Sequence, residues 1–158
     1  SWRSGRRKAA TMSSYSTVGS MALIAADTVL SVIAAATVRP KVYQVVLSSS
    51  SAPNDYSAEF FLQRFSADGT GTAVTPQPLD FGEVAARATS KQVYTVEPTL
   101  TANEILLKLS HNLRATVIWN AREGKEIVIP ALAGDGLSLL CNVVSTQFTE
   151  TATIFFEE

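Results

Sequence analysis

Acid–base chemistry needs titratable groups brought together with a proton acceptor poised near neutral pH, and this chain has few candidates. His111 is its single histidine, at the end of an alternating apolar segment and beside Asn112. Taken alone, it reads as a surface or hydrogen-bonding residue rather than a general base. Cys141 is the single cysteine, so no intrachain disulfide can form. Its setting, Leu139-Leu140-Cys141-Asn142-Val143, is that of a small buried hydrophobe. A zinc ion would therefore need mostly carboxylate ligands, which structural zinc sites seldom use. Asp55 with Glu59, and Asp80 with Glu83, are close enough in sequence to hold a cation or form a glycosidase pair. Both pairs lie in or near loop composition, where solvated charge is the expectation. Gly69-Thr70-Gly71-Thr72 has glycines like those of a phosphate loop but no Gly-Lys-Ser/Thr ending and no following helix, so it reads as a hairpin turn. No Gly-x-Ser-x-Gly elbow occurs. The expectation is a chain that is not an enzyme, with no catalytic residue, cofactor or metal.

Charge is spread unevenly. Arg3, Arg6, Arg7 and Lys8 stand among the first eight residues, with no acid before position 12. The remainder carries nine basic against fourteen acidic residues, a net −5, within a chain of net −1. A basic arm on an acidic body is built to touch nucleic acid or an acidic protein surface. Trp2 beside the cations would let a base stack. The body shows no matching basic stripe, so nucleic acid is not the expected partner. Residues 1–11 also read as an upstream leader, with Met12 as the natural start. The apolar run at 21–38 follows basic residues as in a signal peptide, but Asp27 interrupts it and a long polar gap precedes it. It is too short and too charged to span a bilayer, so a soluble chain with no membrane partner is expected.

The elements that would position these residues are short strands. With 158 residues, 46% apolar and 17% charged, the chain is long enough for one domain with its own core. The spacing predicts an extended arm over 1–15 and a single β-domain over 16–158. Strands are expected at 18–25, 28–37, 42–48, 57–65, 89–96, 105–110, 116–121, 126–129, 137–144 and 149–156, with the alanines of the first two segments leaving a helix as the alternative there. In the 57–65 segment, Glu59, Phe61, Gln63 and Phe65 alternate with Phe60, Leu62 and Arg64, the period of two a strand requires. Residues 74–87 form a connection punctuated by Pro and Gly, with a short helix expected at 83–87. Many short strands at close intervals predict an all-β, jelly-roll-like antiparallel sandwich.

From Thr89 onward the chain resembles the small jelly-roll decoration, or cement, proteins that stud capsids of tailed bacteriophages. The resemblance rests on Val96-Glu97-Pro98-Thr99, Trp119, the run Gly124-Lys125-Glu126-Ile127-Val128-Ile129-Pro130, Gly136-Leu137-Ser138-Leu139, and the terminal Phe155-Phe156-Glu157-Glu158. It covers under half the chain and includes no catalytic motif. It implies a non-enzymatic virion protein on the capsid surface, a trimer that binds and clamps major capsid protein subunits. Not every member carries a basic leader like this one. Loop position adds the interface candidates: Arg3, Arg6, Arg7 and Tyr15 in the arm, and Phe81, Glu83 and Arg87 in the long connection. The alternatives are a carbohydrate- or ligand-binding jelly roll, for which Tyr43, Tyr94 and Trp119 would be the aromatics, and a head–tail connector or tail protein.

Overall fold

The structure is a computed structural model that describes residues 12–52, 54–142 and 146–158. These residues form strands β1 (Ser14–Leu23), β2 (Thr28–Ile33), β3 (Lys41–Ser49), β4 (Ser57–Ala67), β5 (Thr70–Val74) and β6 (Gln77–Pro78). They continue with β7 (Thr89–Val96), β8 (Thr99–Asn112), β9 (Val117–Asn120), β10 (Ile127–Val128), β11 (Gly136–Cys141) and β12 (Phe148–Glu157). All pairings are antiparallel, in two sheets packed face to face. The first sheet runs β10-β3-β12-β1-β6, with β9 also paired to β3. The second runs β5-β7-β2-β11-β4-β8. The fold is therefore an all-β sandwich. No helix among the described residues is long and apolar enough to cross a membrane.

β12 shows why the sequence folds this way. Phe148, Glu150, Ala152, Ile154 and Phe156 alternate inward, while Thr149, Thr151, Thr153 and Phe155 are half-exposed. β2 and β11 behave differently, because every residue in each is buried. Their second face is covered by a bent ribbon. β4 pairs with β8 and β5 with β7, yet the two pairs sit at opposite ends of one sheet. Only residues 68–69 and 97–98 link them, so the ribbon folds across β2 and β11. Hydrogen bonds pin the fold: Tyr94 Oη lies 2.6 Å from Ser31 Oγ and donates to Asp68 Oδ1 at 2.9 Å, and Lys91 Nζ pairs with Asp68 Oδ2 at 2.5 Å. The Glu97 carboxylate accepts from the Thr28 N–H at 2.9 Å and from the Thr28 hydroxyl. Glycine is required at two close approaches. A Cβ at Gly136 would lie 2.2 Å from the Phe65 ring, and one at Gly69 would lie 2.0 Å from the Val96 carbonyl oxygen.

Several sequence expectations change in detail. β1 begins at Ser14, so the extended arm does not reach residue 15. Its polar spelling, Ser-Tyr-Ser-Thr-Val, is that of a strand with only alternate residues buried. Residues 70–72 are strand rather than turn, because they pair with β7. Residues 83–87 contain no helix; Glu83 closes a turn and the chain that follows has no regular secondary structure. In β4, register shifts at Gln63 and Phe65 break the alternation, burying Phe65 and exposing Arg64. The arm residues 1–11, and the end of the strand expected at 137–144, lie outside the described residues.

Candidate functional site

The titratable groups that could do chemistry are inside the sandwich. His111 projects from β8 of one sheet to Glu150 on β12 of the other, with Nε2 2.9 Å from Glu150 Oε1. His111 Nδ1 lies 3.0 Å from the carbonyl oxygens of both Asn112 and Ala115, so it carries a proton. Phe60 stacks on the imidazole at 5.8 Å. Burial works to lower the His111 pKa, but the hydrogen bond to Glu150 and its charge, with the two carbonyls, outweigh burial and hold it above 6.5. Burial raises the Glu150 carboxyl against the pull of His111. Both shifts favour keeping a proton at the contact between His111 and Glu150. Burial, then the charges of Glu150 and Asp27, push the Cys141 thiol up to about 12, so it is inert at neutral pH. Glu150 is 0% and Cys141 1% exposed, which closes this cluster to any substrate. It is a cross-link between sheets.

The sequence-selected carboxylates are engaged elsewhere. Asp55 pairs with Arg114 at 2.7 Å on the surface. Glu59 Oε1 accepts from Asn142 Nδ2 at 2.9 Å. Among the described residues no cluster of His, Cys, Asp and Glu has the arrangement to hold a metal ion.

What reaches the surface is an apolar tip on a tied loop. After β6, the Asp80 carbonyl accepts from the Glu83 N–H at 3.0 Å and its carboxylate from the Gly82 N–H at 2.9 Å, closing a turn with Phe81 at its apex. The loop is then fastened to the body from four sides. Leu79 N–H donates to Ser14 O at 2.9 Å, and Tyr15 Oη donates to Val84 O at 3.0 Å. Ser13 Oγ donates to Glu83 Oε2 at 2.7 Å. The N–H groups of Arg87 and Ala88 donate to the two oxygens of the Glu158 carboxylate, at 2.7 and 3.0 Å. The chain is thus held while its apolar side chains face water: Phe81 is 97% exposed, Val84 74% and Leu79 49%. An ordinary loop tip is polar. Here a hydrogen-bonded turn presents phenylalanine to water, so the cost of ordering the loop for any contact would already be met.

The interface candidates sort accordingly. Phe81, Glu83 and Arg87 stand together on this loop, all exposed. Arg87 also reaches Thr37 Oγ1 at 3.5 Å. Tyr15 is beside them but only 1% exposed, stacked on Phe156 at 5.6 Å. It supports the loop from the core and is not available to a partner, which corrects its placement in an arm. Arg3, Arg6 and Arg7 lie outside the described residues. Of the aromatics considered for glycan binding, Tyr94 is buried and hydrogen-bonded, Tyr43 packs on Phe155 at 6.2 Å, and Trp119 is half-buried.

A second feature is assembled from parts of the chain that are far apart in sequence. A groove of about 610 Å³ opens between β8 and the β9–β10 edge, lined by Leu106, Leu107, Trp119, Ile127, Arg39, Arg64 and Lys125 among others. A narrower cleft of about 220 Å³ adjoins it, sharing Arg64, Ile127, Val128 and Pro130. Its residues come from five separate stretches of chain, so no local motif could announce it. The one local hint was Arg64, a charge at the end of an apolar alternation. No protein-family model, no curated protein and no solved structure matches this chain.

Proposed function

We propose that this chain is a non-enzymatic structural module that binds protein, and that it decorates and stabilises a phage capsid by docking on major capsid protein subunits, as a trimer on the virion surface. The observation that carries the protein-binding part is Phe81, 97% exposed at the apex of a loop fastened by backbone and side-chain hydrogen bonds. The capsid part rests on the resemblance of the C-terminal half to decoration proteins. A ligand that binds the assembled shell and not free subunits stabilises the shell by mass action. Three copies per site would multiply modest contacts.

The test is co-sedimentation of the purified protein with capsid shells that lack it, beside the Phe81→Ala variant. Saturable binding by the wild type, with the variant weakened by roughly thirtyfold or about 2 kcal/mol, is the expected result for an aromatic anchor at an interface centre. No binding to shells, or equal binding by the variant, rejects the reading. Binding to oligosaccharides instead would favour a glycan-binding module.

A further inference from the structure

The groove between β8 and the β9–β10 edge has the features of a peptide site. β8 ends the second sheet, and among the described residues only β4 pairs with it. Its stretch opposite residues 57–62 of β4 keeps regular register, whereas shifts at Gln63 and Phe65 distort the part before Leu107. The free side of residues 107–110 therefore offers backbone N–H and C=O groups to an added strand, whereas the Asn112 carbonyl beyond them already accepts from the Ala115 N–H at 2.9 Å. Facing this edge, Trp119 of β9 and Ile127 and Val128 of β10 give an apolar wall. Leu106, in the register shift, is 40% exposed at the mouth.

Charge selects the occupant. The side chains of Arg39, Arg64 and Lys125 line the wide part of the groove and have no hydrogen-bond or ion-pair partner among the described residues. Glu126, the acid in the same part, accepts from the Gly124 N–H at 3.1 Å. Glu104 and Asp135 line the narrower cleft beyond Arg64. Two free guanidinium groups and an ammonium beside a strand edge suit carboxylates spaced along an extended chain. A glycan platform needs an open aromatic face, and Trp119 is half-buried against the core.

We infer that this groove receives an extended acidic segment of a partner protein, which adds as a strand to β8 and places its carboxylates on Arg39, Arg64 and Lys125. This site lies at the edge of the first sheet opposite the Phe81 loop, and it stands whether or not that loop binds a capsid.

The test uses the full chain and a fluorescein-labelled peptide of alternating Glu and Val, about eight residues long so that it spans the regular part of β8. Fluorescence anisotropy should show binding that weakens as salt is raised. Amide hydrogen exchange should slow at residues 107–110 on binding. Arg64→Glu and Lys125→Glu, both exposed positions, should each lose about tenfold or more in affinity with unchanged thermal unfolding. Phe81→Ala should bind the peptide like the wild type. The inference is overturned if the peptide does not bind, if the same peptide with Lys for Glu binds as well, or if protection appears away from β8. It is equally overturned if oligogalacturonate binds in its place with the same dependence on Arg64.

Discussion

The two edges of the first sheet are finished in opposite ways. At one, β6 runs into a loop whose backbone is tied to Ser14, Tyr15 and Glu158 while the side chains of Phe81, Val84 and Leu79 stay exposed. At the other, β9 and β10 leave a groove in which the side chains of Arg39, Arg64 and Lys125 have no partner among the described residues. The first edge is a rigid apolar knob and the second a charged slot. A knob gains affinity from desolvation and a slot gains selectivity from charge. On the reading proposed above, features at opposite edges would let one molecule join two neighbours.

Both edges hang on one core, and the largest expected effect removes that common support. His111→Ala leaves Glu150 buried and unpaired, and should lower unfolding stability by about 3–5 kcal/mol in urea titration. Both edges should fail together, in proportion to the unfolded fraction. If instead one binding activity survived while the other vanished, the edges would not share that support. Phe81→Ala comes next. It should cost roughly 2 kcal/mol of capsid binding while unfolding stability stays within about 0.5 kcal/mol, because an exposed side chain contributes little to the fold.

A smaller effect sharpens the knob. Tyr15→Phe removes the hydrogen bond to Val84 O and should cost about 1 kcal/mol of stability. It should weaken capsid binding less than Phe81→Ala and leave peptide binding at the groove untouched.

The pH response addresses the shared core. In the folded state the His111 pKa lies above 6.5. The folded protein therefore keeps a proton that the unfolded chain releases. The stability this gives is fully present below pH 6.5 and is lost as pH rises through the raised value, by at most about 1.4 kcal/mol per pH unit. Urea midpoints measured from pH 6 to 9 should fall, and the fall should vanish in His111→Ala. A flat profile would mean that the pair does not hold its proton more tightly than the unfolded chain.

Much of the architecture was legible because period-two alternation is local. The strand expected at residues 89–96 is β7, and residues 57–65 fall within β4. Buried Cys141 followed from its apolar neighbours in the same way. Alternation misleads wherever register shifts. Phe65 was grouped with Glu59 and Phe61, and the irregularities at Gln63 and Phe65 bury it. Residues 1–15 show no periodicity, yet Tyr15 lies in β1, because a strand with one buried face can be spelled with polar neighbours. The exposed loop could be found from Pro and Gly spacing, and Phe81, Glu83 and Arg87 all lie on it. Their anchors, Ser13 and Glu158, are about seventy residues away in sequence. His111 and Glu150 meet only because two sheets pack, and nothing in either local sequence signals the other. The groove is the extreme case, since its cations come from different connections and strands.

As a capsid decoration protein, the role proposed above, this chain would be a stoichiometric part of a shell. Quantitative mass spectrometry of purified particles from the source of this gene tests it most directly. The account predicts copies in fixed proportion to the major capsid protein. A protein absent from particles, or present only at the few copies of a single portal or tail ring, would contradict it.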